Sequence, residues 1–364
     1  MQTKLSAALQ RFLLGGAVGL CYLALILLPR ETSQAAIDAL SLCARVIVPS
    51  LFPFFVCANL FCALRLAAPL EARLSRIMRP VFGVSGAGAA ALVLGLTGGY
   101  PSGAQAVGAL YSARAIDRRE AEKLLAFCNN CGPAFIFGIV GQSVFHSAAI
   151  GLLLYLVHIL SALLCGVFQR GKHLEPCRAA REEAHIPAPA FSDAFTQSVK
   201  KAGQTALEVC MFVVVFGVLS AFFLLPARRY LPASVLPLLY GVLELSGGAC
   251  ALAGTELSVC LKFILSSFLL AFGGLSVHAQ TRAVLHAAGL DDLPVFRYKL
   301  CQGLLAALLS VPAAYLFHLE RFAAPAFAAA DGNSMLIVAE LLFCGALCLH
   351  FRKMAGSNFA RHRV

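Results

Sequence analysis

Long apolar runs separated by short basic or polar segments set the pattern of this chain. The first run, Phe12–Leu28, is preceded by Lys4 and Arg11 and closed by Pro29-Arg30; with no small-residue cleavage site after it, it reads as an uncleaved first span. From Ser33 to Val48, apolar Ile37, Leu40, Ala44 and Ile47 are interleaved with Gln34, Asp38 and Arg45 at helical spacing. This spacing predicts an amphipathic helix lying at a membrane interface. A second span, Pro49–Leu66, follows, and then a basic amphipathic piece, Leu70–Pro80, with Arg73, Arg76 and Arg79. Further apolar segments are Gly86–Ala113, Leu124–Phe145, His146–Phe168, Leu207–Leu225, Leu236–Leu252, Val259–His286, Leu300–Phe317 and Met335–Phe351. An amphipathic stretch, Phe191–Thr205, carrying Lys200 and Lys201, introduces the run at Leu207. Many of these runs approach the roughly 20 apolar residues that cross a bilayer.

Composition excludes the soluble alternative. Of 364 residues, 60% are hydrophobic and only 13% charged, and the mean hydropathy is +0.81. The chain is expected to be an all-α polytopic membrane protein with the lipid bilayer as its solvent and no separate soluble domain. The formal charge of +11 is read as a topology signal, not as a nucleic-acid surface. Arg73, Arg76 and Arg79 lie before Gly86–Ala113, and Arg114, Arg118, Arg119 and Lys123 after it. Both ends are then cytoplasmic, so the segment is a re-entrant hairpin with its tip at Gly98–Gly103; Leu236–Leu252 is a candidate second hairpin. About eight transmembrane helices plus two hairpins place both termini in the cytoplasm, although Arg228-Arg229 then falls outside. The division is residues 1–30 as the first helix, 31–168 as one half, 169–190 as a cytoplasmic linker, 191–317 as the other half, and 318–364 as a last helix and basic tail.

Four of the apolar segments are interrupted. Thr97-Gly98-Gly99-Tyr100-Pro101-Ser102-Gly103 cannot hold regular helix, because glycine costs backbone entropy and proline removes a donor. Asn129-Asn130-Cys131-Gly132-Pro133, Glu244-Leu245-Ser246-Gly247-Gly248 and Gly273-Gly274-Leu275-Ser276-Val277-His278-Ala279-Gln280 are the others. Broken backbone at membrane depth is tolerated only when buried in protein or lining a cavity. Thr97, Gly98, Gly99, Tyr100, Ser102, Gln105, Asn129, Asn130, Glu244, Ser246, Ser276, His278 and Gln280 are therefore the candidate solute-binding residues. Half-helix N-termini suit an anionic oxygen, and His278 and Arg282, four residues apart, share a helix face on which an anion could sit. A carboxylate at mid-membrane costs roughly 2.5–3.5 kcal/mol, so Glu244 calls for a partner, a solute or a coupling ion. Lys262 and His158 read as packing or snorkelling residues.

The halves echo each other. Gly98-Gly99 through Asp117 aligns without gaps on Gly273-Gly274 through Asp292, sharing Ala-Gln at Ala104-Gln105 and Ala279-Gln280. The span count makes these repeats inverted, the layout of secondary transporters. Enzyme signatures are missing: no HExxH and no P-loop occur. The 14 cysteines lie mostly in apolar runs and read as packing residues. Cys128-Asn129-Asn130-Cys131 has no second CxxC or histidine cluster beside it, so neither a metal nor a cofactor is expected.

Pro49-Ser50-Leu51-Phe52-Pro53-Phe54-Phe55, Gly98-Gly99-Tyr100-Pro101-Ser102-Gly103, the Asn129-Asn130 break and Gly274-Leu275-Ser276-Val277-His278-Ala279-Gln280 resemble the YlbJ-type sporulation integral membrane proteins of the nucleoside-recognition, or Gate, domain group. The resemblance runs from about Ser41 to about Leu305. It implies a fold similar to concentrative nucleoside transporters and a role in endospore formation, where the family is associated with moving dipicolinic acid across the outer forespore membrane. A small anionic solute is thus the expected cargo, with a coupling ion and a homo-oligomeric partner left open. A nucleoside-type carrier and a non-transporting scaffold are the competing readings.

Overall fold

The computed structural model describes residues 2–64, 66, 68–170, 190–227, 229–232, 234–290 and 292–319. Residues 171–189 of the expected 169–190 linker, and the last span, Met335–Phe351, lie outside the described residues. All regular structure among the described residues is helical. α1 is Gln2–Leu27, α2 Pro29–Leu42 and α3 Val48–Ala63, the last two joined by a π-helical turn, Cys43–Ile47. The expected break between an interfacial helix and the span at Pro49 is not there: Pro29–Phe61 runs as one 33-residue helix. The wide turn just before Pro49 accounts for this, since proline leaves a carbonyl of the preceding turn without a donor. Phe191–Thr205 likewise fuses with its span into α9, Phe191–Ala227, 37 residues long. Nothing between those two stretches breaks helix, and about 55 Å of continuous helix exceeds the bilayer core.

α4 (Ala68–Ile77) leads into the first hairpin, α5 (Gly88–Thr97) and α6 (Ser102–Ser112), which turns at Gly98–Pro101. α7 (Arg118–Cys128) is capped by Asp117, whose Oδ1 accepts from the Glu120 amide at 2.7 Å. It stops at Asn129, and the path resumes as a π-helix, Ala134–Val144. α8 (Ala148–Phe168) is a full span. The second half repeats this order. α9 is followed by the hairpin α10 (Leu236–Leu243) and α11 (Leu245–Ala253), which turns at Glu244. The broken helix is α12 (Val259–Phe272) with α13 (Gly274–Ala287), pivoting at Gly273, and α14 (Val295–Leu316) closes the repeat. α3 packs on α9, and α8 on α14, so equivalent elements of the two halves meet.

The element order corrects the gapless alignment. It pairs the turn at Gly98–Pro101 with Glu244, and Asn129–Pro133 with Gly273, whereas the alignment joined a hairpin tip to a helix pivot. Five described helices are long and apolar enough to cross a membrane, and Val18–Leu27, Gly88–Thr97 and Ala134–Val144 are shorter apolar helices. Their outer faces carry leucine-rich stripes: Leu152, Leu156 and Leu160 on α8, Leu207, Met211 and Val215 on α9, and Leu304, Leu308 and Val311 on α14, all exposed. Stripes of this size are satisfied by lipid, not by water.

Candidate functional site

The four breaks converge. One cavity is lined by Thr97, Gly98, Gly99 and Tyr100 of the first hairpin, Cys131, Gly132 and Ala134 of the broken helix, Glu244, Leu245 and Ser246 of the second hairpin, and Ser276 and Gln280 of α13. Leu51, Phe54 and Phe55 of α3 and Val209 and Val213 of α9 close it with apolar walls. Its free space is about 50 Å³, room for a few waters. A second, larger cavity of about 460 Å³ lies against it, sharing Val209 and Gln280, and is walled by Gln105 of α6, Thr205 and Glu208 of α9, and Ala283, Val284 and Ala287 of α13.

The chain supplies partners for the exposed helix ends itself. A helix leaves its first amides and last carbonyls unpaired, and within hydrocarbon each needs a partner. At α11, Glu244 folds back on its own helix. Its carboxylate accepts from the Ser246 amide at 2.9 Å and the Gly247 amide at 2.6 Å, and the residue is 1% exposed. The expectation of free amides there is corrected: an internal carboxylate holds them. At α6, the Ala104 amide donates to Asn129 Oδ1 at 3.3 Å. At the middle break, the Cys131 amide donates to His158 Nε2 at 3.1 Å. The carbonyl ends are met too: Tyr155 donates to Leu96 at 3.0 Å, and the Tyr100 hydroxyl to Leu270 and Ala271 at 3.2 Å. Lys262 donates to Ala253 at 3.1 Å at the end of α11. Gly273 sits at φ +87°, a left-handed conformation in which a side chain is strained, and so lets α12 end and α13 begin within one residue.

Several expected site residues are placed elsewhere. Asn129 donates to Thr281 Oγ1 at 3.0 Å, and Asn130 donates to the Phe127 carbonyl at 2.6 Å and accepts from Gln302 at 3.1 Å. Both asparagines are buried behind the cavity as ties between the middle break, α13 and α14. His278 does not face the cavity; its ring packs between Phe272 and Phe296, 4.9 and 5.1 Å between centroids. Arg282 is exposed, so no His278–Arg282 anion seat forms. The one-residue pivot at Gly273 makes Ser276 to Gln280 regular helix, which turns His278 away from Ser276 and Gln280. Ser102 is half-buried outside the cavity lining, Gln105 belongs to the larger cavity, and the Thr97 hydroxyl donates to Val93 of its own helix at 2.8 Å. Ser276 is different: 1% exposed, on the cavity wall, its hydroxyl has no partner among the described residues.

One buried residue behind the site has no counterpart among the sequence-based candidates. Lys299, on α14, is 1% exposed. Its Nζ donates to the Asn129 carbonyl at 2.6 Å and to Gln302 Oε1, and lies 5.2 Å from the Tyr100 ring centroid. The available signal was Lys299 and Gln302 at a spacing of three, which share a helix face.

No family model matches the chain, and no solved structure matches it. Among curated proteins it is 31% identical over 318 residues, covering 77% of each chain, to the sporulation integral membrane protein YlbJ of Bacillus subtilis (strain 168). With its apolar helices and the motifs at its four breaks, the chain is an integral membrane protein that belongs to the YlbJ family of sporulation membrane proteins.

Proposed function

We propose that the protein is a carrier for a small anionic solute, dipicolinate being the first candidate, working by alternating access between two inverted halves during endospore formation. The observation that carries this reading is the convergence of all four helix breaks on one cavity. A scaffold has no need of polar helix ends gathered at membrane depth, whereas a solute seat between repeats is built in this way. The bacterial cell membrane, specifically the outer forespore membrane, is the proposed location, with both termini cytoplasmic. The relative's name supports the link to sporulation.

A planar ring solute does not fit into about 50 Å³, so loading requires the hairpin turns at Gly99 and Glu244 to part. The larger cavity, continuous at Val209 and Gln280, is the approach. In the seat, Ser276 and Gln280 offer donors to a carboxylate or a ring nitrogen, while the Glu244 charge is held by the amides of α11. A second reading has its own observation. Glu244 is a carboxylate on the wall, and it would accept from the hydroxyls of a nucleoside-type solute.

Uptake into proteoliposomes separates these readings. Saturable dipicolinate uptake is expected, with KM rising on the order of fivefold in Ser276→Ala, the loss of one hydrogen bond of about 1 kcal/mol. Uptake of nucleosides in place of dipicolinate would select the second reading. No flux of either solute under any gradient would leave a non-transporting scaffold.

A further inference from the structure

We propose that the Lys299 ammonium is a tethered cation occupying a seat that would otherwise take an alkali ion, so that the carrier binds no Na⁺ or K⁺ there. The proposal rests on the carrier reading for its transport consequence, but not for the seat itself.

Three features define the seat. The contacts to Nζ are all to electron-rich groups: the Asn129 carbonyl, Gln302 Oε1 and the face of Tyr100. A neutral amine would present a lone pair and call for a donor; among the described residues only acceptors and a π-face meet it. The Asn129 carbonyl is the C-cap of α7, so the charge lies at the negative end of a half-helix. Unwound carbonyls and half-helix C-terminal ends are the groups with which broken-helix carriers hold their ions. Finally, among the described residues no carboxylate neutralises the charge. The one ion pair among the described residues, Arg118–Asp292, is elsewhere. The side chains sharing the field of Lys299 are the thiols of Cys128, Cys131 and Cys165 and the imidazoles of His158 and His278.

A fully buried cation without a counter-ion is costly, and a leucine here would avoid that cost. What the charge supplies is a fixed positive field directly behind Tyr100, which is itself on the cavity wall. A free alkali ion in the same seat would supply the same field, but would have to bind and leave in each cycle. Tethering removes that step and leaves the positive charge in place through turnover, the complement an anionic cargo needs.

The test uses the full-length protein in detergent and in proteoliposomes. Wild-type melting, and dipicolinate uptake, are expected to be indifferent to exchange of Na⁺ and K⁺ for choline. Lys299→Ala is expected to melt lower in choline and to recover by several degrees, saturably, on addition of Na⁺, K⁺ or methylammonium, which fit the vacated seat. Lys299→Met, which fills the space with an apolar chain, is expected to show no such recovery. Wild-type uptake that requires Na⁺ or K⁺ would overturn the proposal, even if neither variant folds. So would a folded Lys299→Ala protein whose melting is the same in all four cations. Absence of dipicolinate flux in every salt would instead count against the carrier reading, with the melting series still deciding the seat.

Discussion

At the scale of single residues, close backbone approach decides what is allowed. Gly103 of α6 rests on the C-terminal end of α7, and a Cβ there would lie 2.0 Å from the Cys128 carbonyl oxygen and 2.8 Å from the Asn129 Cα. These are backbone atoms, so one of the two helices must shift. Gly103→Ala should lower stability by about 1–3 kcal/mol or more, visible as an earlier melting transition of the purified protein. Gly203 in α9, where a Cβ would meet nothing within 4 Å among the described residues, is the matched control. Its replacement by alanine should be neutral or stabilising by roughly 0.5–1 kcal/mol. The sequence made some residues of the site readable and hid others for a physical reason. Glu244 stood out because a carboxylate in an apolar run must be accommodated. Lys299 did not, because Arg297-Tyr298-Lys299 follows the polar turn before α14 and looks like the basic flank of any span. Its burial is created by a carbonyl 170 positions away, which no local pattern encodes. His278 misled in the opposite sense: its neighbours Ser276 and Gln280 are on the cavity wall, but a regular helix turns it against Phe272 and Phe296.

At the scale of elements, three of the helix breaks are held by side chains from a neighbouring element and the fourth by its own Glu244, so breaking and bracing belong together. The middle break depends on α8, where His158 accepts the Cys131 amide. Replacing His158 with phenylalanine keeps a ring but removes the acceptor, leaving a buried amide unpaired at about 1–3 kcal/mol. The expected outcome is a lower melting temperature with the helical circular-dichroism signal retained. Breaks were legible from composition: glycine, proline and amide residues clustered inside apolar runs can do little else at membrane depth. Element ends were less so. Pro49 and Pro53 read as a start, yet a π-helical turn carries the helix through them, and Pro53 sits inside α3. The junction between Phe191–Thr205 and the span beyond it was invisible because both halves are good helix and only the face changes.

At the scale of the whole molecule, the repeated order of long helix, hairpin, broken helix and span puts equivalent elements face to face. The first half is joined to the second at the exposed pair Arg118–Asp292, which links the start of α7 to the turn after α13. The Arg118 guanidinium bonded to Asp292 holds that carboxyl below its ordinary 3.8. A depressed carboxylate stabilises the fold above its unfolded value and loses that contribution as pH falls through the lowered folded value. Asp292→Asn should therefore melt slightly earlier than wild type from pH 5 upward, with the gap shrinking as pH falls below 3.8 and in high salt, as expected of a solvent-exposed pair. The half-and-half organisation was visible in the sequence as two series of apolar runs, but its register was not. Matching Gly-Gly and Ala-Gln pairs drew the tip of one hairpin onto the pivot of a broken helix, since glycine marks both kinds of bend and sequence identity does not say which.

The Tyr100 hydroxyl also reaches across the halves, donating to the Leu270 and Ala271 carbonyls at the end of α12. The tip of the first hairpin is thereby latched to the hinge of the opposite half. If the proposed seat opens on one side, the hinge on the other loosens in the same event, which couples the two motions in time. On the carrier reading proposed above, turnover would then be a single concerted step, its speed set by how readily one phenol exchanges two carbonyls for other acceptors.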